Sequence, residues 1–149
     1  MIQKRDNIAE YILYLWQIED YLRAFPAQAE SSQELHDLSL MMHEENILQS
    51  GHLQLAQNAL QELEELHGEL LAQEATYRAA MLQLTPALNL LKAKTDRPEM
   101  SDMEACLLLL YQIMMLRLQK RDISPETASV QKQATDVLRY LSRTYRDQE

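Results

Sequence analysis

The stretch Ala105–Leu118, ACLLLLYQIMMLRL, is the most apolar in the chain, and its apolar residues do not keep to one face of a helix. A helix that is hydrophobic all round has to be surrounded by other helices. The run is 14 residues long and contains Gln112 and Arg117, so it is too short and too polar to span a bilayer. It predicts a helix over about residues 102–120 at the centre of a protein core.

The rest of the chain fits helices around that centre. Only two Gly and four Pro occur, whereas a β-rich protein needs many turns and draws on both. Leu, Ala, Gln and Glu are abundant instead, and all favour helix. The length of 149 residues is that of one domain with a sizeable core. The expected fold is all-α: a single helical domain over 1–149, an up-and-down antiparallel bundle of five to six helices with helix 102–120 central.

Local signals place the other helices. Asn7 with Glu10 caps helix 1, which Phe25–Pro26 ends near Ala24. Tyr11, Leu15, Ile18 and Leu22 form its apolar stripe, with Ile8 and Ile12 beside it and Trp16 extending the arc. Pro26–Glu30 reads as a short linker. Ser31 with Glu34 is expected to start helix 2, running to about Leu48. After Ser50–Gly51, helix 3 covers about His52–Ala72. Leu53, Ala56, Leu60, Leu63, Leu70 and Leu71 line its inner side. The phase changes at Gln73, and Tyr77, Met81, Leu84, Leu88 and Leu91 make the seam of helix 4, about Glu74–Ala93. Helices 3 and 4 are either separate or one bent helix. Pro86 should kink the latter near Leu82. Ser101 with Glu104 caps helix 5. Ser124, Pro125 and Glu126 start helix 6, which runs to about Tyr145.

The formal net charge of −9 disfavours nucleic-acid binding. Residues 24–77 hold ten acidic side chains and no Lys or Arg. This block is either a solvated surface or a docking face for a basic partner. Cys106 is the one cysteine, so no intramolecular disulfide forms. Inside the apolar run it acts as a small hydrophobe rather than a catalytic thiol. The start, MIQKRDN, is charged, and Ile8–Ile18 contains Glu10 and Gln17 and lacks a small-residue cleavage site. A cytoplasmic chain without membrane contact is expected.

A few polar residues fall where apolar ones belong. Arg117 lies among Cys106, Leu110, Ile113 and Met114 on the helix 5 wheel. Glu19 lies between Ile8 and Ile12 on that of helix 1. Either the two form a buried ion pair joining helices 1 and 5, or Arg117 reaches solvent from the last turn. His52 and His67 both fall on the apolar side of helix 3. They are 15 residues apart, roughly 22 Å along a helix at about 1.5 Å per residue, so they cannot share an ion. Glu64-x-x-His67 has the spacing found in di-iron bundles, but no second such motif occurs. His36 and His43 are about two turns apart, too far for one mononuclear site. No metal and no cofactor is expected, and no phosphate loop, nucleophile elbow, HExxH or GxGxxG is present. Met41–Met42 and Met114–Met115 read as gap-filling core.

Several segments carry a family resemblance: NIAEYILYLWQIED at 7–20, SGHLQ at 50–54, LHGELL at 66–71 and MLRLQKRDIS at 115–124. Together they resemble an uncharacterised bacterial family of the Bacteroidetes, domain-of-unknown-function family 4924. The resemblance implies an all-helical cytoplasmic protein and no assigned activity. Glu10, Trp16, Glu19, His52, His67 and Arg117 fall in its motifs. The region between Arg23 and Ser50 is shorter than the resemblance implies.

Two functional expectations follow. One is a small cytoplasmic interaction module without catalytic activity. It would present an aromatic-rich helical face (Trp16, Tyr14, Tyr21) to a protein partner of basic character or to a second copy as a homodimer. The other is a ligand-binding or enzymatic bundle with Glu19, His52, His67 and Arg117 lining one internal pocket. Convergence of those four on a solvent-open cavity separates them.

Overall fold

A computed structural model describes residues 2–148. Among them there are six α-helices and no strand, as expected of an all-α protein. The helices are α1 (Ile8–Ala24), α2 (Gln33–Glu44), α3 (Gln54–Gln73), α4 (Ala75–Lys94), α5 (Asp102–Leu118) and α6 (Pro125–Asp147). The chain forms two compact units, with the boundary between Gln61 and Glu62 inside α3.

The helix starts follow local side-chain chemistry. Asn7 accepts a hydrogen bond from the Glu10 N–H, Ser101 from that of Glu104 and Ser124 from that of Thr127. Each satisfies one of the amide donors that a helix start leaves without a partner. Pro125 stands in the first turn of α6, where its missing N–H costs nothing.

Three helices end alike. Asn46, Asp96 and Lys120 adopt φ of 57°, 56° and 57°. Each donates its N–H back to the helix, to His43, Ala93 and Arg117. The next residue donates to Met42, Lys92 and Leu116. This left-handed cap satisfies two terminal carbonyls and stops the helix.

In the first unit, α1, a 3₁₀ turn at Pro26–Glu30 and α2 pack on one another. The turn replaces the expected linker, and α2 departs from expectation at both ends. Ser32, not Ser31, caps it by accepting from the Leu35 N–H, while the Ser31 hydroxyl donates to the Gln28 carbonyl. Its end is Glu44 rather than Leu48, because Asn46 turns left-handed.

In the second unit, α4, α5 and α6 pack mutually. The expected seam of α4 is buried in full: Tyr77, Met81, Leu84, Leu88 and Leu91. Glu74 is extended (φ −125°, ψ 111°), so α3 and α4 are separate helices. Pro86 lies within α4, and one residue earlier the Thr85 hydroxyl donates to the Met81 carbonyl. In the first half of α5, Met103, Ala105, Cys106 and Leu107 are buried. From Leu108 onward only Tyr111 and Ile113 are fully covered.

Candidate functional site

Glu19 is wholly buried in the first unit, at 0% exposure. A buried carboxylate is costly unless its oxygens are answered. Here one oxygen accepts from the Leu53 N–H at 2.7 Å, and the other lies 2.7 Å from His52 Nδ1. A carboxylate only accepts, so with Glu19 ionised His52 carries its proton on Nδ1. Trp16, three residues before Glu19 and on the same face of α1, stacks on the His52 ring with centroids 4.8 Å apart and planes at 23°.

Arg23, one turn after Glu19, completes the arrangement. Its guanidinium donates to the Ile47 carbonyl at 2.9 and 3.3 Å and to the Gly51 carbonyl at 2.5 Å. Gly51 has φ +94°, a conformation that side chains resist, and a Cβ there would meet Ile47 Cγ2 at 3.4 Å. One face of α1 thus holds the α2–α3 connection at both ends, by acceptance at Leu53 and donation at Ile47 and Gly51. Glu45 adds a second carboxylate, accepting from the Gln54 N–H at 2.7 Å. The N-terminus of α3 therefore meets two negative charges, which its dipole favours.

The second unit has a neutral counterpart. His67 Nδ1 lies 2.6 Å from the Tyr77 hydroxyl, and the rings meet edge to face. Burial lowers the His67 pKa below its usual 6.5, against the opposing charges of Asp102 and Glu64. Burial likewise raises that of Tyr77, with Cys106 and Asp102 adding to it. Tyr77 in turn faces Tyr140 at 6.1 Å, and the Tyr140 hydroxyl donates to Glu74. Nearby, Ser101 donates to Glu64 at 2.7 Å, and Lys92 pairs with Asp102 at 2.7 Å. Burial pushes the Cys106 thiol up to about 12, with Asp102 contributing, so it stays protonated and unreactive.

Each unit also carries an open groove with apolar walls. That of the first unit is about 410 Å³, walled by Leu22, Leu40, Met42 and Leu48, with Glu30, His36 and His43 among its polar residues. One in the second unit, about 470 Å³, lies over Tyr77, Tyr140 and Glu74.

The residues singled out in the sequence divide accordingly. Glu19, His52 and Trp16 meet, and Glu19 points inward as its place on the wheel implied. His67 has Tyr77 as its partner. Arg117 is a correction: it is exposed and donates to Gln131 at 2.7 Å. Helix α5 ends one residue later, so Arg117 sits in a last turn that leaves its side chain uncovered. A buried pair with Glu19 loses its ground, since the Glu19 oxygens serve His52 and Leu53. The four-residue pocket loses Arg117 with it. Trp16 is a second correction: it is buried against His52, not offered at a surface. Tyr14 is half-buried and donates to Glu34 at 2.5 Å, and burial with that bond pushes its pKa up to about 12. Tyr21 alone of the three is exposed, tilted against Phe25 at 5.5 Å.

Arg23, Glu45 and Gly51 escaped the sequence reading, as did the group of Tyr77, Tyr140 and Glu74. The available signals were the i, i+4 spacing of Glu19 and Arg23, and a glycine in a chain holding only two. Among the described residues, no three His, Cys, Asp or Glu side chains gather as a metal set.

The fold and these clusters define an all-helical protein in which a fully buried carboxylate, Glu19, fastens the protein's own backbone. The model of one family, described as a domain of unknown function (DUF4924), matches residues 2–35 and 26–149, and the chain belongs to that family. The two matched stretches overlap between residues 26 and 35. No curated protein and no solved structure matches the chain.

Proposed function

We propose that this protein is a cytoplasmic interaction module without catalytic activity, and that the groove between α1 and α2 takes an amphipathic, basic segment of a protein partner. The groove carries this reading. Its walls are apolar, and Leu40 and Leu48 stand 48% and 41% exposed at it. It lies in a part of the chain, residues 24–77, that has ten acidic side chains and no Lys or Arg. Arg23 lines the groove, but its guanidinium is engaged with two backbone carbonyls and Asp20. A segment with apolar anchors and Lys or Arg on its flanks matches both features. Support for a cytoplasmic setting comes from the buried, unpaired Cys106.

Fluorescence anisotropy tests this with a labelled helical peptide of Leu and Lys and its counterpart with Glu in place of Lys. The Lys peptide is expected to bind at least about tenfold more tightly at low salt, and the gap should narrow as salt screens it. Leu40→Asp, at an exposed position, should remove binding while leaving the fold intact. Equal binding of both peptides, or full binding by Leu40→Asp, would sink the reading.

A further inference from the structure

We propose that the groove between the start of α4 and the middle of α6 is a binding site for a small organic cation, an alkylammonium ion with an apolar body. The site lies in the second unit and does not depend on the groove proposed for the partner segment. At about 470 Å³ it has the size of a small-molecule site. Its apolar lining is the half-buried Ala80 with the largely buried Tyr77 and Val137. Tyr140 stands 40% exposed, its ring 6.1 Å from that of Tyr77 and tilted by 33°. Tyr77 is buried, so the open aromatic face in the groove is that of Tyr140.

The charges in the groove favour the same ligand. No Lys or Arg lines it, and two carboxylates do, Glu74 and Asp136. Asp136 is already answered, by Lys132 at 2.8 Å and Arg139 at 3.7 Å. Among the described residues Glu74 has no ion pair. Its known side-chain partner is the Tyr140 hydroxyl, which donates to it. A phenol that donates to a carboxylate concentrates electron density on its ring, and the ring face attracts a cation more strongly. Glu74 and Tyr140 therefore act as one acceptor, a charge and a ring face side by side. An anion would meet Glu74 unfavourably, and a neutral ligand would leave that charge unanswered.

Titration of the full chain followed by ¹H–¹⁵N NMR tests the site, with hexylammonium chloride as probe and 1-hexanol as neutral control. Shifts are expected at Tyr77, Ala80, Val137 and Tyr140, with hexanol at least about tenfold weaker. Glu74→Gln should lower hexylammonium affinity by about tenfold and leave hexanol unchanged. The Glu74 side chain makes no cap hydrogen bond to α4, so this variant keeps the helix start. Tyr140→Leu should weaken the cation more than the alcohol. Asp136→Asn should change affinity by less than about twofold, because its charge is already paired. Equal affinity for alcohol and ammonium overturns the proposal, as does an unchanged Glu74→Gln variant or shifts confined to other residues.

Discussion

The two units each hold a half-buried histidine by its Nδ1, and they do it with different chemistry. In the first unit the partner of His52 is a buried carboxylate at 2.7 Å, and the same carboxylate takes the Leu53 N–H. In the second the partner of His67 is a phenol at 2.6 Å, whose pKa burial has raised, so it stays neutral. The first arrangement ties a side chain to the backbone through a charge. The second fills space with two rings that satisfy each other. A charge that has left water demands all of its partners, so its loss costs more than the loss of a neutral hydrogen bond. Similar distances therefore conceal unequal consequences.

Removing Glu19 is the strongest way to break that comparison. Glu19→Ala leaves the buried Leu53 N–H without its acceptor, strips His52 of its partner and opens a cavity. It is expected to destabilise the protein by about 3 kcal/mol in urea unfolding. Glu19→Gln keeps an acceptor for Leu53 and should cost roughly half as much. A loss from Glu19→Ala no larger than that from Tyr77→Phe would mean that the charge does not fasten the connection.

Gly51→Ala probes the same connection through the backbone. At φ +94° an alanine is strained whatever space it has, although its Cβ would meet Ile47 Cγ2 only at van der Waals distance. The expected cost is about 1–2 kcal/mol, again by urea unfolding. Tyr77→Phe in the second unit removes one neutral hydrogen bond, and about 1 kcal/mol should follow. His67 adds a pH signature. Its folded pKa is lowered, so between that value and the unfolded 6.5 the unfolded chain binds more protons. Stability should therefore fall as pH drops below about 6.5 and be fully present above it. Comparing urea midpoints at pH 8 and pH 5 for the wild type and His67→Gln checks this. An unchanged pH dependence in the variant would assign the slope to other groups.

The helix starts were legible because their signals are local. Asn7, Ser101 and Ser124 act on amides three residues ahead, and no tertiary knowledge is needed to see it. Where two serines stand together, at Ser31 and Ser32, the local signal is ambiguous, and the 3₁₀ turn decides it. The end of α2 at Glu44 was hidden because Asn46 turns left-handed inside a segment that reads as continuous helix. Glu19 was legible as an inward residue, since it interrupts an apolar stripe at helical spacing. Its partners were not, because a helical wheel points to side chains on another helix and one partner is the Leu53 amide. The cluster of Glu74, Tyr77 and Tyr140 joins residues up to 66 positions apart. No spacing rule in the sequence reaches that far.

Arg117 and Glu19 looked alike on the wheel, each a charge inside an apolar arc, and the smallest expected effect belongs to this contrast. The difference lies in position along the helix. Glu19 has a full turn of α1 after it, and Arg23 in that turn draws the chain of Ile47–Gly51 over the same face. Arg117 is the last residue but one of α5, and like Leu118 beside it, 63% exposed, it stands open to solvent. A flexible, hydrated side chain with one hydrogen bond to Gln131 contributes little. Arg117→Ala is therefore expected to change stability by no more than about 0.5 kcal/mol in urea unfolding, against about 3 kcal/mol for Glu19→Ala. A loss above about 2 kcal/mol would mean that Arg117 is held by partners as Glu19 is, and the distinction between helix middle and helix end would fail.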